Sequence, residues 1–169
     1  KYKNTVCIGR SHGVHAEVTT FGFKLLNWLD ELERAKKSFE YVLSEISVGQ
    51  ISGPVGTYSN VTPEVEKLAC EFLNLLPAKI STQIISRDRH AKFMSVLSLI
   101  ASLLEQFATE IRHLQRTEVR EVEEGFGKNQ KGSSAMPHKK NPVLCENLCG
   151  LSRVVRSNML TAFENINLW

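Results

Sequence analysis

A hydroxyl works as a base only where its alkoxide is stabilised. The run Gly132-Ser133-Ser134-Ala135-Met136-Pro137-His138-Lys139-Lys140-Asn141-Pro142 gathers the residue types that do this. Gly132 and the two serines make a mobile stretch whose backbone amides can turn toward an anion. Lys139 and Lys140 add fixed positive charge. Asn141 followed by Pro142 reads as an N-cap and a first-turn proline, so a helix N-terminus with partial positive charge is expected there. Such an end also suits a bound carboxylate. A plain Gly/Ser/Lys linker does not need Met-Pro and Asn-Pro at these offsets. A phosphate-binding P-loop does not fit either. Gly125-Phe126-Gly127-Lys128 lacks the two-glycine spacing before its lysine, and Asn129 stands where Ser or Thr is required.

A second constellation stands near the start, Arg10-Ser11-His12-Gly13-Val14-His15-Ala16-Glu17, followed by Thr19-Thr20-Phe21-Gly22. Two histidines three apart invite a metal reading, but no third ligand sits at a recognisable spacing, so zinc is not expected. A single histidine is often a satisfied structural one. Two in a Gly-containing stretch just before a helix suit acid/base work better.

The elements that must position these groups read as mostly helical. From about Thr20 to Ile46, Leu25, Trp28, Leu29, Leu32, Phe39, Val42 and Ile46 follow helical spacing. Residues 48–60 carry Gly49, Gly53, Pro54, Gly56 and Asn60, a turn-rich connection with room for a short hairpin. Thr62-Pro63-Glu64 opens a shorter helix that ends near Leu76-Pro77. A third helix repeats Phe93, Leu97, Ile100, Leu104, Phe107, Ile111 and Leu114 as a heptad seam, with Val96, Leu99 and Leu103 on a second face. The acidic run through Glu118, Glu121, Glu123 and Glu124 reads as a solvated helix end. A fourth helix from Pro142 puts Leu144, Leu148, Leu151, Val155, Met159, Ala162 and Ile166 on one stripe. The fold class expected is an all-α bundle of long helices. A seam with two faces suggests that the bundle continues into other subunits, although a monomeric four-helix bundle would also satisfy it.

The whole chain sets further bounds. Its 169 residues suffice for one substantial domain, and 42% hydrophobic with 23% charged content is that of a globular chain. A net charge of +3 from 21 basic and 18 acidic residues is too weak to argue for nucleic acid or a membrane surface. The charge that matters is local, at Lys128, Lys131, Lys139 and Lys140. Cys7, Cys70, Cys145 and Cys149 show no disulfide spacing and read as buried, reduced thiols in a cytoplasmic protein. No membrane span and no signal peptide are expected. The chain runs from Lys1 to Trp169 without an initial Met and reads as part of something larger.

The run from Gly132 to Pro142 resembles the signature loop of the fumarase/aspartase superfamily of lyases, nearly position for position. The Arg10–Glu17 stretch is similar to a region of the adenylosuccinate lyases, the purine-biosynthesis branch. So are Ser81-Thr82-Gln83 with Arg87-Asp88-Arg89-His90, and the stretch from Arg116 to Glu124. The similarity covers essentially all 169 residues. It implies the central helical domain, residues 1–169, of a fumarase/aspartase-type bundle, with the family's N-terminal and C-terminal domains absent.

Carried over by position, the resemblance makes His12 the general acid and Ser133 the general base, with Ser134 as its rival. It gives Lys139 and Asn141 the substrate's dicarboxylate end, Gln83 a further substrate contact, and Glu146 the support of loop and site. Ser11 stands where threonine is usual, which preserves the hydroxyl. Val18 stands where proline is usual, which loosens the approach to the first helix. The implied reaction is β-elimination of fumarate from adenylosuccinate, giving AMP, and from the succinyl-carboxamide ribotide of purine biosynthesis. It needs no metal or organic cofactor. The implied partners are a purine nucleotide substrate and copies of the same chain in a homotetramer whose sites draw on three subunits, so this stretch alone would be inactive. Alternatives are another lyase or cycloisomerase of the superfamily, or a non-catalytic helical oligomerisation module.

Overall fold

The computed structural model describes residues 1–127, 129–130, 132–136 and 138–167. Lys128, Lys131 and Pro137, to which local charge and the Met-Pro step were assigned, lie outside the described residues. The chain divides into two compact units, Lys1–Arg34 with Ile100–Val154, and Ala35–Leu99 with Val155–Trp169. Three long helices contribute to both. These are α1 (Phe21–Ile46), α3 (Asp88–Leu114) and α4 (Val143–Glu164), and the third is followed by a 3-10 turn at Asn165–Asn167.

In the first unit, strands β1 (Val6–Ser11) and β2 (Val14–Thr20) form an antiparallel hairpin that periodicity alone did not reveal. His12 and Gly13 make its two-residue turn, and both have positive φ, at 55° and 80°. That is the geometry whose twist matches paired strands. The register slips between Ile8 and Arg10, so Gly9 faces two residues of β2. Thr20 then caps α1, its Oγ1 accepting from the Phe23 amide at 3.2 Å. Gly22 is required where the chain turns into the helix, since a Cβ there would stand 2.3 Å from the Lys3 carbonyl oxygen.

α1 and α3 meet through Trp28 stacked on Phe107, with ring centroids 4.7 Å apart. The Gln106 amide reaches Glu31, and Lys24 pairs with Glu110. α3 and α4 meet through small side chains. Ala108, Cys145 and Cys149 are buried together with Ile111 against them. Of the expected α4 stripe, Val155, Met159 and Ala162 are half-buried. Leu144 and Leu151 are 65% and 62% exposed, and Leu148 is also exposed. Cys145, Cys149 and Ser152 are the buried side chains of α4, and the three leucines lie on the surface of this chain.

Among the described residues, α3 is the helix to weigh against the expectation of no membrane span. Its length and a mean hydropathy of 1.3 over 18 residues would suffice for a membrane span, by length and composition only. A helix central to a bundle needs the same composition. The polar contacts of Gln106 and Glu110 with α1 are those of such a helix.

The second unit contains α2 (Pro63–Phe72) and a parallel pair, β3 (Val48–Gly49) with β4 (Leu76–Pro77). The 48–60 connection is therefore not a hairpin, because Val48 finds its partner beyond α2. Gly53, Gly56 and Tyr58 have positive φ and turn the chain sharply, so no strand can continue there. α2 also ends earlier than expected. Asn74 takes φ 54°, its amide donates to the Glu71 carbonyl, and the Leu75 amide donates to the Cys70 carbonyl. This is a Schellman stop built on asparagine. Glu66 is buried, its two carboxylate oxygens accepting from the Ile51 amide at 2.5 Å and the Tyr58 hydroxyl at 2.7 Å. Phe39 packs on Phe93, and Lys92 pairs with Glu45 at 2.7 Å. All four cysteines are free thiols, and three of them are buried.

Candidate active site

The hairpin lifts Ser11 and His12 to an exposed tip. The His12 ring makes no hydrogen bond among the described residues, so the tip presents it unobstructed. What fixes the hairpin is Arg10. Its guanidinium pairs with Glu121 and lies 3.3 Å from the Nε2 of His15. The hydrogen bond from Arg10 holds the Glu121 carboxyl below the usual range, against an opposing effect of burial. His15 therefore belongs to an anchoring contact, while His12 stands clear of it.

The acidic run is not a solvated helix end. α3 stops at Leu114, and each of three acids beyond it has a partner. Glu121 pairs with Arg10, and Glu123 accepts from Lys140 Nζ at 2.6 Å. Glu124 takes the amides of Leu144 and Cys145 at 3.2 and 2.8 Å. The last pair corrects the reading of Asn141-Pro142. The Glu146 amide donates to the Pro142 carbonyl, so α4 begins at Val143 and the proline occupies the cap position rather than the first turn. Proline has no side-chain acceptor, and the carboxylate of Glu124 does the capping from a distance. The helix N-terminus expected to hold a substrate carboxylate is thus already filled. Burial, and then the hydrogen bond with Glu124, pushes the Cys145 thiol up to about 12.

The loop itself separates its two serines. Ser133 is half-buried, and its Oγ accepts from the Ala135 amide at 3.3 Å and the Met136 amide at 3.5 Å. Ser134 is exposed and has no such pair among the described residues. The two lysines separate as well. Lys140 is committed to Glu123 and lies over the Phe126 ring at 5.7 Å, whereas the Lys139 ammonium has no partner among the described residues.

Two open cavities adjoin the end of α3. One, of about 1320 Å³, is lined by Arg10, Ser11 and Lys24 among others. The other, of about 1080 Å³, is lined by Arg112, Arg120, Lys139, Asn141 and Glu146 among others. Thr109, His113 and Arg116 line both. Lys139, Asn141 and Glu146 are therefore brought to one cavity, where Arg and Lys side chains stand beside Glu118, Glu121 and Glu123. Ser11 lines the neighbouring cavity. His12, Ser133 and Ser134 line neither, and Gln83 belongs to the second unit, where its carbonyl accepts from Gln50. The apolar seam drew no attention to Arg112 and His113, the basic residues of the last turn of α3, which line the cavity of Lys139. Among the described residues, no group of three His, Cys, Asp or Glu side chains is arranged for a metal ion.

A family model described as Lyase matches residues 1–157. The chain belongs to this lyase family. The adenylosuccinate lyase of Thermotoga maritima is 56% identical over 169 residues, which is all of this chain and 39% of that protein. The chain thus spans well under half the length of that lyase. Among solved structures, the 3-carboxy-cis,cis-muconate lactonizing enzyme of Pseudomonas putida matches with a TM-score of 0.84 at 34% identity, over 98% of this chain and 38% of that one. A class II fumarase from Schistosoma mansoni matches with a TM-score of 0.81 at 22% identity, over 95% of this chain and 38% of that one. The long-helix bundle is accordingly the fold that fumarase-type lyases share.

Proposed function

We propose that the protein is an adenylosuccinate lyase, and that this chain is its central helical domain. The observation that carries the reading is 56% identity to such a lyase along the whole chain. The loop chemistry agrees with it. The Ser133 Oγ removes a proton from the substrate's methylene carbon, and the charge spreads onto the adjoining carboxylate. Lys139 and Asn141 hold that dicarboxylate end, Glu146 supports loop and site, and Gln83 contacts the substrate elsewhere. The carbon–nitrogen bond then breaks, its electron pair staying on nitrogen as the new carbon–carbon double bond of fumarate forms. The His12 imidazolium gives its proton to that nitrogen. The amides of Ala135 and Met136 directed at Ser133 support it over Ser134 as base, because they stabilise an alkoxide there. That the Lys139 ammonium has no partner among the described residues supports its place at the substrate.

The substrates are adenylosuccinate and the succinyl-carboxamide ribotide, the site is cytoplasmic, and the assembly is a homotetramer. Exposed Leu144, Leu148 and Leu151, which share one face of α4, support association through subunit contacts. The test is fumarate release by the full protein from adenylosuccinate, compared with a carboxymuconate substrate. Fumarate from adenylosuccinate alone is expected. Turnover of the muconate alone would transfer the assignment to the lactonizing branch, which has the same fold. Turnover of neither would leave a helical assembly module.

A further inference from the structure

The two ends of the 125–142 segment are tied by contacts that the proposed chemistry does not use. Glu124 accepts from the Leu144 and Cys145 amides through its two carboxylate oxygens. The Glu124 amide in turn donates to the Gln115 Oε1 at 3.0 Å. The same Gln115 side chain donates through Nε2 to the Lys140 carbonyl at 3.2 Å. Lys140 then reaches back to Glu123 at 2.6 Å. One side chain just past α3 thus grips both ends of the segment, and one carboxylate joins them directly.

We propose that Gln115 and Glu124 form a clasp that closes the base of this loop and positions Ser133 and Lys139 for the reaction. The inference rests on the lyase reading. An ordinary helix cap would need only a local serine or aspartate. Here the capping group lies twenty residues upstream, across the loop that carries the base, and its own amide is held in place. The arrangement therefore fixes the loop's span as well as the helix end. Pinned ends leave the middle of the loop free to move but fix where it starts and where it returns beside Lys139, and a misplacement of about 1 Å costs on the order of 10²-fold in rate. The clasp also keeps the α4 N-terminus occupied. The substrate's carboxylates then fall to side chains such as Lys139 and Asn141 and to loop amides.

The experiment compares Glu124→Ala, Glu124→Gln and Gln115→Ala with the wild-type full protein. Hydrogen exchange of the Leu144 and Cys145 amides and of residues 125–142 is read alongside kcat and KM. Glu124→Ala is expected to speed exchange at both amides and to lower kcat about 10²-fold with KM nearly unchanged. Glu124→Gln keeps an acceptor oxygen and should recover part of the rate. Gln115→Ala, which leaves the cap in place, should lower kcat with the Leu144 and Cys145 amides still protected. Unchanged exchange in Glu124→Ala, or normal kcat in both alanine variants, overturns the clasp. A lower KM in Glu124→Ala would also overturn it, by showing that Glu124 competes with substrate for the helix end. Should the wild-type protein release no fumarate from adenylosuccinate, the lyase reading fails, while the exchange data still decide whether the clasp exists.

Discussion

Removing the Glu66 carboxylate should destabilise the second unit more than any other single polar change there. Glu66 is 2% exposed and accepts from the Ile51 amide at 2.5 Å and the Tyr58 hydroxyl at 2.7 Å. A hydrogen bond to a charged acceptor is worth about 1.5–3 kcal/mol, and stranding a buried donor costs about 1–3 kcal/mol. Tyr58 is half-buried and can turn its hydroxyl toward water, and Ile51 is 41% exposed, so the lost charged hydrogen bonds and the vacated side-chain volume dominate. Glu66→Ala should then cost about 2–4 kcal/mol. Glu66→Gln should lie between, because its carbonyl still accepts from one donor while its NH2 faces the other. Tyr58→Phe should cost less than either. The contacts continue within the second unit, where the Tyr58 amide donates to the Ser52 carbonyl. Ser52 contacts Gln50 and Ser81, and Gln50 holds the Gln83 carbonyl. Urea unfolding followed by circular dichroism measures the loss as a shift in midpoint at constant slope. A Glu66→Ala protein within about 0.5 kcal/mol of wild type would refute the reasoning.

Three further outcomes are expected. His12→Gln in the full protein should lose about 10²- to 10⁴-fold in kcat with substrate binding retained, whereas His15→Gln, which touches only the Arg10 anchor, should stay active; the reverse pattern in steady-state kinetics would move the acid to His15. Glu121 has its carboxyl lowered by Arg10, so its contribution to stability is full above the ordinary carboxylate range and is lost as pH falls through the folded value. Acid unfolding of Glu121→Gln should therefore begin from lower stability at neutral pH and fall less steeply below about pH 4; identical acid limbs would contradict the pairing. Hydrogen exchange across residues 125–138 should slow when substrate is added, as a loop closing over its substrate requires; equal, strong protection with and without substrate would rule out closure.

How much of this was legible depends on whether the causes were local. α1 and α3 follow from apolar spacing, and their observed limits fall close to those the pattern sets. The β1–β2 hairpin was legible in principle, since His12-Gly13 sits between runs rich in Val, Ile and Thr. Attention to the histidines as chemistry hid that turn signal. The pairing of Val48 with Leu76 was not legible, because its partner lies beyond α2. Neither was the cap of α4, whose acceptor comes from a stretch that composition alone makes look solvent-facing. The α4 stripe was legible only as a face. Periodicity marks an apolar face but not which neighbour it meets, and here Cys145, Cys149 and Ser152 took the core while the leucines stayed outside. Of the residues singled out in the sequence, Lys139, Asn141 and Glu146 line one cavity, which Arg112 and His113 of α3 also line, and the folding that brings them together is not written in local spacing.

The most direct test of the account compares Ser133→Ala with Ser134→Ala in the full protein, measuring binding of adenylosuccinate and release of fumarate from it. Ser133→Ala should bind the substrate and release almost no fumarate, and Ser134→Ala should keep most of its turnover. Turnover by Ser133→Ala at the wild-type rate would contradict the account.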